Sequence, residues 1–297
     1  MIVLMEQTIL MCTMLAILGL CLGSFAGASV WRLRARQLKE DKTNGEEVDS
    51  KEYKMLAQLT ESTMSADRSR CLHCRHVLKW YDLIPLVSWA STGGKCRYCK
   101  KKIGYFEPTI ELGLAVIFVG SYLLWPNAIH STVEVMHFTL WLIACVMLAM
   151  LFAYDIRWYL LPNRIIFPLI AVSIVVAILS IIGSLDAGAI AISTLVATAI
   201  LSGLYLILWL ISKGEWIGFG DVKLGLALAL LLADWQLAFI ALFAANLIGC
   251  LLVIPGMLIG KITRKTRIPF GPLLIAGAVI AMLFGGRILE TYFSTLL

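Results

Sequence analysis

The stretch MHFTLWLIACVMLAMLFAYD, residues 136–155, is apolar over almost its whole length and ends on a carboxylic acid. A membrane-spanning α-helix needs about 20 apolar residues, so this stretch predicts a transmembrane helix over residues 137–154. Similar apolar runs occupy residues 8–31, 106–125, 164–183, 187–211, 222–233, 235–258 and 269–287. Because 60% of the residues are hydrophobic and 15% are charged, the composition predicts an all-α polytopic membrane protein with about eight transmembrane helices.

The order of polar and apolar segments predicts three regions. The first apolar run has no Lys or Arg before it, so we interpret residues 1–31 as a first transmembrane helix rather than a cleavable signal peptide. Residues 32–103 form a cytoplasmic loop, and residues 104–297 form a seven-helix transmembrane domain. The polar insert at residues 37–67 is either a helix from about Ser50 to Ser62 or mostly disordered, and we assign no chemistry to it.

The distribution of basic residues predicts the orientation in the membrane. Sixteen of the 25 Lys and Arg residues lie between Arg32 and Lys102. Placing that loop in the cytoplasm, with eight spans, puts 24 of the 25 basic residues on the cytoplasmic side, and Arg287 is the exception. A basic loop of this kind indicates a cytoplasmic loop that obeys the positive-inside rule and not a nucleic-acid-binding surface.

Two aspartates at the ends of apolar runs are the candidate catalytic residues. Asp155 follows one run and Asp221 precedes another, and the predicted topology puts both at the cytoplasmic boundary. Carboxylates at a membrane boundary are functional-site candidates, and a pair of them is suited to acid–base hydrolysis. Asp186 and Asp234 fall on the opposite side and are expected to be solvated turn residues.

The local surroundings of the two aspartates predict unequal roles. The negative end of a helix dipole favours the protonated carboxyl at Asp155, and the positive end of the next helix favours the ionised carboxylate at Asp221. We therefore expect Asp221 to act mainly as the base and Asp155 mainly as the acid. Gly218 and Gly220 would let the backbone approach a substrate closely. The alternative is that the aspartates form ordinary salt bridges, Asp155 with Arg157 or Arg164 and Asp221 with Lys223.

Four cysteines form a candidate metal site. Cys71-Leu-His-Cys74 and Cys96-Arg-Tyr-Cys99 are two C-x2-C motifs, and this spacing is typical of a tetrahedral zinc site. All four positions around the metal would be filled by protein, so we predict structural zinc in a subdomain over residues 71–99. Between the motifs, residues 80–89 read WYDLIPLVSW, which is too aromatic for a free loop. We predict that this segment packs on the membrane surface or against helix ends.

The chain from Gly23 to its end resembles the type IV prepilin peptidases, bacterial aspartyl proteases with a Gly-x-Gly-Asp motif. The matching stretches follow the family's order over about nine-tenths of the chain. They are Gly23-Ser24-Phe25, Ser69-Arg70-Cys71-Leu72-His73-Cys74, Trp80-Tyr81-Asp82, Ile84-Pro85-Leu86-Val87-Ser88-Trp89, Cys96-Arg97-Tyr98-Cys99, Glu107-Pro108-Thr109-Ile110-Glu111, Asp155 through Leu160-Leu161-Pro162-Asn163, Gly218-Phe219-Gly220-Asp221-Val222-Lys223-Leu224 and Pro269-Phe270-Gly271-Pro272.

The resemblance implies an endopeptidase that cleaves the short basic leader from type IV prepilin or pseudopilin precursors at the cytoplasmic membrane face. Asp155 and Asp221 would activate the attacking water, with Gly218, Gly220, Lys223 and Glu111 as candidate substrate contacts. Many members also methylate the new N-terminus with S-adenosylmethionine. The family commonly reads Gly-Ser-Phe-x-Asn, whereas this chain has Gly27 at the last position. That departure concerns methylation, because cleavage depends on the two aspartates.

Three other functions remain open at this point. One is a catalytically inactive membrane scaffold with a zinc site, although the intact aspartate pair counts against it. A presenilin-like intramembrane protease shares the paired aspartates, although the cysteines and the Pro-Phe-Gly-Pro stretch favour the prepilin enzyme. A membrane transporter could use the carboxylates as a proton or cation relay, but it would be expected to carry further charged groups within its spans. Neither the cofactor-binding residues nor the oligomeric state follows from the sequence.

Overall fold

The computed structural model describes residues 2–60, 68–126, 129, 131–261, 263 and 266–296. The described residues form helices, with two isolated β-bridges and no β-strand among them. The α-helices in this part of the chain are α1 (Ile2–Thr43), α2 (Ser50–Leu56), α3 (Val87–Ser91), α4 (Phe106–Leu124), α5 (Thr132–Trp158), α6 (Asn163–Gly183), α7 (Ala187–Thr198), α8 (Leu204–Ser212), α9 (Phe219–Leu232), α10 (Trp235–Leu258) and α11 (Gly271–Leu296).

Within the described residues, seven helical segments are long and apolar enough to cross a membrane. They are α1, α4, α5, α6, α10, α11 and the continuous segment Ala187–Ser212, in which a π-helical turn (Ala199–Gly203) joins α7 to α8. The remaining predicted span, residues 222–233, forms α9, which has 14 residues and is therefore about 21 Å long. An all-α polytopic membrane fold is thus confirmed, and one of its predicted spans is short.

The first helix is longer than its apolar run. It continues through the basic residues that follow Trp31 and ends at Thr43. These residues include good helix formers such as Arg, Leu, Gln and Lys, so the helix has no local reason to stop at the end of the apolar run. The Arg34 guanidinium pairs with Glu52 of α2 at 2.8 Å. The helix predicted from Ser50 is present to Leu56, and residues 61–62 of that prediction lie outside the described residues.

The chain forms two compact units, Met1–Val119 and Gly120–Leu297. The first contains the cysteine motifs, and the second contains both candidate catalytic aspartates. In the first unit, α1 and α4 approach closely at two glycines of α1. A Cβ on Gly19 would lie 2.7 Å from the Cα of Ala115, and a Cβ on Gly23 would lie 2.5 Å from the Cα of Glu111. Small residues permit such close approach of membrane helices, which explains why Gly23 is a glycine.

Short polar side chains begin several helices of the second unit. Ser131 and Glu134 form a capping box at the start of α5. Asp186 accepts a hydrogen bond from the Ala189 amide at the start of α7, and Asp234 accepts from the Gln236 and Leu237 amides at the start of α10. The two aspartates that were expected to be plain turn residues are therefore helix N-caps.

Candidate active site

The second unit brings Asp155 and Asp221 together. Asp155 is in the last turn of α5 and is 5% exposed, and Asp221 is the third residue of α9. Their carboxyl groups are close enough for their charges to interact. Leu161 lies between Gly220, which precedes Asp221, and Gly271, which binds Asp155: a Cβ on Gly220 would lie 3.0 Å from its Cβ, and a Cβ on Gly271 would lie 3.4 Å from its Cδ2. Two residues 66 positions apart in the chain thus form one acidic pair.

A backbone amide holds the Asp155 carboxyl group in place. The Gly271 N–H donates to Asp155 Oδ2 over 3.1 Å in a buried position. Gly271 is the first residue of α11, so its N–H has no partner within its own helix. A Cβ at this position would lie 2.7 Å from the same oxygen, so a side chain would push the carboxyl group away. This assigns a structural role to the Pro269–Pro272 stretch that sequence reasoning did not provide.

The helix ends around the two aspartates are more alike than the sequence indicated. Asp155 lies at the C-terminal end of α5, but its carboxyl group also faces the N-terminus of α11 through Gly271. Asp221 lies at the N-terminus of α9. Both carboxyl groups therefore have the positive end of a helix beside them. The helix dipoles therefore do not distinguish the two aspartates. The assignment of Asp155 as the acid and Asp221 as the base stays a prediction.

The other residues predicted near Asp221 have varied partners. A Cβ on Gly218 would lie 3.5 Å from Asp221 Oδ2, and Gly220 packs against Leu161. The Lys223 ammonium donates to Asn163 Oδ1 over 2.6 Å and lies over the Phe219 ring. Lys223 is thus engaged with Asn163 and does not form the alternative salt bridge with Asp221. The substrate contacts predicted for these residues stay a prediction.

Tyr205 is a polar group near Asp221 that sequence reasoning missed. It is 3% exposed, its hydroxyl has no hydrogen-bond partner, and it interacts electrostatically with Asp221. Its ring packs edge-on against Phe270, with 5.3 Å between the centroids. A π-helical turn lies directly before α8, two residues before Tyr205, and π-helical turns are frequent at functional sites. The one sequence signal was a tyrosine in an otherwise apolar run.

In the first unit, the two cysteine motifs fold into matching turns. The Cys71 amide donates to the His76 carbonyl, and the Cys96 amide donates to the Lys101 carbonyl. Each turn closes with a residue at positive φ, Arg75 in the first and Lys100 in the second. The equivalent hydrogen bonds fall 25 residues apart, as do the cysteines. Two superimposable turns of this kind are typical of a four-cysteine metal site.

The four sulfur atoms have the spacing of a tetrahedral metal site. The Sγ atoms of Cys71, Cys74, Cys96 and Cys99 all lie within 4.8 Å of one another. The Cys71 and Cys99 sulfurs are 3.9 Å apart. A tetrahedron with metal–sulfur bonds of about 2.3 Å has edges of about 3.8 Å. The cysteine quartet therefore fits a bound metal ion, and no disulfide links these residues.

Backbone amides of each turn point at a cysteine sulfur. Burial raises the pKa of the Cys71 thiol to about 12, although the amides of Cys74 and His73 act in the opposite direction. Burial also acts on Cys96, but hydrogen bonds from the amides of Cys99 and Tyr98 outweigh it and lower the pKa to about 7. Such N–H···S bonds stabilise thiolates, which are the form that binds metal.

Asp82 connects the segment between the motifs to the second turn. Its carboxylate accepts from the Arg97 Nε over 2.9 Å, the Tyr98 hydroxyl over 3.0 Å and the Lys79 amide over 3.2 Å. Burial would raise the pKa of Asp82, but these donors outweigh it and hold the pKa below its ordinary value. The aromatic segment at residues 80–89 is therefore tied to the cysteine subdomain.

Profiles of known protein families match parts of both units. The profile of the Bacterial Peptidase A24 N-terminal domain matches residues 17–125, and that of the Type IV leader peptidase family matches residues 142–254, which include Asp155 and Asp221. The chain belongs to the type IV leader peptidase family. No solved structure matches the chain.

Curated relatives are similar to this chain over between 76% and 95% of its length. "Prepilin leader peptidase/N-methyltransferase" of Pseudomonas aeruginosa is 28% identical over 95% of this chain and 92% of its own length. The protein of the same name from Stutzerimonas stutzeri is 27% identical over 93% and 91%. That of Bacillus subtilis is 29% identical over 76% and 86%. The family resemblance read from the motifs is thus confirmed.

Two glutamates of this leader peptidase line a cavity in the first unit. Glu111 is 6% exposed, and its Oε2 accepts from the Leu86 amide over 2.8 Å. Glu107 Oε1 accepts from the Trp31 indole N–H over 2.9 Å, while Glu107 Oε2 is buried with no partner. The cavity has a volume of about 490 Å³. Glu111, predicted as a substrate contact, thus lies in the first unit beside the segment that carries Leu86.

The unpartnered Glu107 oxygen lies beside Gly27, the position at which the family commonly has asparagine. A Cβ at Gly27 would meet Glu107 Cγ at 3.7 Å, an ordinary contact, so the position has room for a Cβ directly beside Glu107, and we expect an asparagine amide there to bond its carboxylate. We expect Gly27→Asn to raise the free energy of unfolding by about 1.5–3 kcal/mol through a hydrogen bond to a charged group. Thermal unfolding of the purified protein in detergent measures this.

The control for that prediction is Gly27→Ala. Alanine has the higher helix propensity and gains about 1 kcal/mol over glycine, whereas asparagine gains only a few tenths from propensity. If the new amide bonds Glu107, the asparagine variant unfolds at the higher temperature. The reverse order of the two variants would show that no such hydrogen bond forms.

Proposed function

We propose that the chain is an aspartyl endopeptidase that removes the leader from type IV prepilin or pseudopilin precursors, with Asp155 and Asp221 as its catalytic pair. The observation that carries the proposal is that the ends of α5 and α9 bring the two carboxyl groups within range of each other's charge, with the Gly271 amide bonded to one of them. Two interacting carboxyl groups share a proton more readily than they ionise together, so one acid and one base are present at once.

The hydrolysis uses both forms of the pair. The ionised carboxylate takes a proton from a water molecule, and the water oxygen bonds to the scissile carbonyl carbon. The protonated carboxyl then gives its proton to the leaving nitrogen as the C–N bond breaks. The Tyr205 hydroxyl is buried near Asp221 without a hydrogen-bond partner. The products are a leader carboxylate and a new amino terminus.

The family supports prepilin precursors as the substrates. The relatives that cover nearly the whole chain are named prepilin leader peptidases. The chain has the paired aspartates within the peptidase profile and the cysteine quartet within the N-terminal profile. A presenilin-like protease and a carboxylate-relay transporter are not favoured, because neither accounts for both matches.

The distribution of basic residues supports a location in the bacterial inner membrane with the active site at the cytoplasmic face. Lys and Arg concentrate on one side of the predicted topology, together with Asp155 and Asp221. A precursor whose short basic leader stays in the cytoplasm and whose apolar helix lies in the bilayer would present its cleavage site there. The partners are thus prepilin or pseudopilin precursors and the lipid bilayer.

The test of this proposal is cleavage of a prepilin-like substrate by the purified protein, with the product mass measured. A cut at one site after the basic leader is the expected result. If a folded, metal-loaded protein cuts no such substrate, the peptidase proposal is wrong.

We assign a structural zinc ion to Cys71, Cys74, Cys96 and Cys99. All four tetrahedral positions are cysteines, so the ion would hold the two turns together and leave no position for water. We expect about one zinc ion per chain, and we expect Cys96→Ser or a chelator to release it and increase hydrogen exchange across residues 69–102. Structural zinc contributes about 10–16 kcal/mol to the folding of small domains, so this loss of protection should be nearly complete.

Cys250→Ser is the matched control for the zinc prediction. Cys250 is an exposed cysteine of α10, outside the quartet. Its replacement should leave the zinc content and the exchange of the subdomain unchanged. Full zinc retention by Cys96→Ser would contradict the four-cysteine site.

The cavity of the first unit is our candidate site for S-adenosylmethionine. Its volume of about 490 Å³ is within the usual range for small-molecule sites. Aromatic faces and carboxylates, which attract a sulfonium cation, line it beside a basic group: Phe25, Trp31, Trp89, Glu107, Glu111 and Arg32. Equilibrium dialysis of S-adenosylmethionine against the wild type and Trp89→Ala tests this assignment. Equal binding by both proteins would exclude the cavity.

A further inference from the structure

An exposed apolar surface lies on the cysteine subdomain. Within eight consecutive residues, Trp80 is 76% exposed, Val87 is 61% exposed, and Leu83 and Ile84 are also exposed. We call these four residues the Trp80 surface. The rest of the same segment is held inward, since Asp82 and Trp89 have partners within the subdomain. Single exposed apolar residues are normal on proteins, but four so close together indicate a contact surface.

Two hydrogen bonds hold this segment beside the start of a membrane helix. The Leu86 amide donates to Glu111 of α4, and the Trp89 indole N–H donates to the Gly104 carbonyl over 2.7 Å, two residues before α4 begins. Helix α4 has 19 residues, so it needs its whole length to cross a hydrocarbon core of about 30 Å. Its first turns are therefore at the membrane boundary, and the Trp80 surface is at the same level.

The charge of the subdomain indicates which kind of membrane surface it meets. Residues 68–105 contain nine Lys and Arg residues and one acidic residue, Asp82, which is already paired with Arg97. Lys79 directly precedes Trp80 in the sequence. Even with four thiolates and a divalent metal, the subdomain keeps a large positive charge. Basic residues beside an apolar surface are the combination that binds anionic lipid headgroups.

We propose that the Trp80 surface inserts into the interfacial region of an anionic bilayer and holds the cysteine subdomain flat against the cytoplasmic leaflet. Trp80 supplies an indole ring, which prefers the level of the headgroups, and Ile84 and Val87 supply apolar contact with the upper acyl chains. The basic residues around them pair with lipid phosphates. The contact is independent of whether the chain cleaves prepilins.

The test uses the full-length protein in lipid nanodiscs that contain lipids brominated near the headgroup. Bromine quenches tryptophan emission on contact, so comparing the wild type with Trp80→Phe isolates the Trp80 signal among the nine tryptophans. In discs rich in phosphatidylglycerol, we expect Trp80→Phe to lose more quenchable emission than Trp89→Phe, whose ring is hydrogen-bonded inside the subdomain. A second reporter, Val87→Trp in the Trp80→Phe protein, should restore the quenching.

Three outcomes decide the proposal. Strong quenching at positions 80 and 87 that falls when phosphatidylcholine replaces phosphatidylglycerol, or when salt screens the charges, supports it. Equal quenching in the two lipids overturns the preference for anionic headgroups. No quenching at either position overturns the whole proposal and shows that protein, or water, covers this surface.

Discussion

Asparagine at either Asp155 or Asp221 is expected to lower the rate of leader cleavage by about 10³-fold or more, because general acid–base steps contribute about 10²–10⁴-fold each and the pair performs two. The amide can neither accept the proton of water nor donate one to the leaving nitrogen. It has nearly the same size as the carboxyl group, so the packing around Leu161 should survive. Single-turnover cleavage of a prepilin-like substrate, followed by mass, measures the loss.

The controls for the aspartate variants come from the same helical scaffold. Asp186 and Asp234 stand at helix starts as the N-caps of α7 and α10. Asparagine is about as good an N-cap as aspartate, so Asp186→Asn and Asp234→Asn should keep both stability and cleavage. If Asp155→Asn or Asp221→Asn retained cleavage like these controls, the assigned pair would be wrong.

Alanine at Gly271 is expected to lower cleavage by about 10²-fold while leaving the fold intact, because catalytic groups displaced by about 1 Å commonly lose that much. The added Cβ would stand 2.7 Å from Asp155 Oδ2, so the carboxyl group must move and lengthen its hydrogen bond to the amide. Gly271 does not have positive φ, so alanine adds no backbone strain. The expected change is in kcat rather than in thermal unfolding.

Gly286→Ala is the matched control in the same helix. A Cβ at Gly286 would meet no atom within 4 Å. This variant should cleave like the wild type and should be slightly more stable, since alanine has the higher helix propensity. Equal activity of Gly271→Ala and Gly286→Ala would show that the Gly271 amide does not position the catalytic carboxyl group.

The elements that the sequence predicted well depend on local pattern or on counting. The lengths of the apolar runs predicted the ends of α4, α6 and α10 to within one residue. The predicted ends of α5 are within five residues of the observed ends. The C-x2-C spacing predicted the sulfur cluster, because two short turns have few ways to place four thiols around one centre. Alternation of the spans predicted that Asp155 and Asp221 share a membrane face, and in the structure they do interact.

The elements that were missed depend on contacts between distant residues. The Gly271 amide reaches Asp155 across 116 positions, and nothing local to either residue announces the other. Tyr205 follows a π-helical turn, which has no sequence signature that could be read from one chain, and its neighbours Asp221 and Phe270 are distant in the sequence. The prediction of different helix dipoles at Asp155 and Asp221 failed for the same reason. The helix end that faces the Asp155 carboxyl group belongs to α11 and not to α5. The end of α1 was missed because a polar helix can continue an apolar one.

The shortness of α9 bears on how water reaches the peptide bond. Its length of about 21 Å is less than the hydrocarbon thickness of about 30 Å, and most of its side chains are enclosed by neighbouring helices. Hydrophobic mismatch of this kind is met by local thinning of the bilayer or by an indentation in the protein surface. Asp221 stands at the end of this shortened helix, where such a depression would admit solvent. Water would then reach the proposed catalytic pair because of the length of one helix of the scaffold.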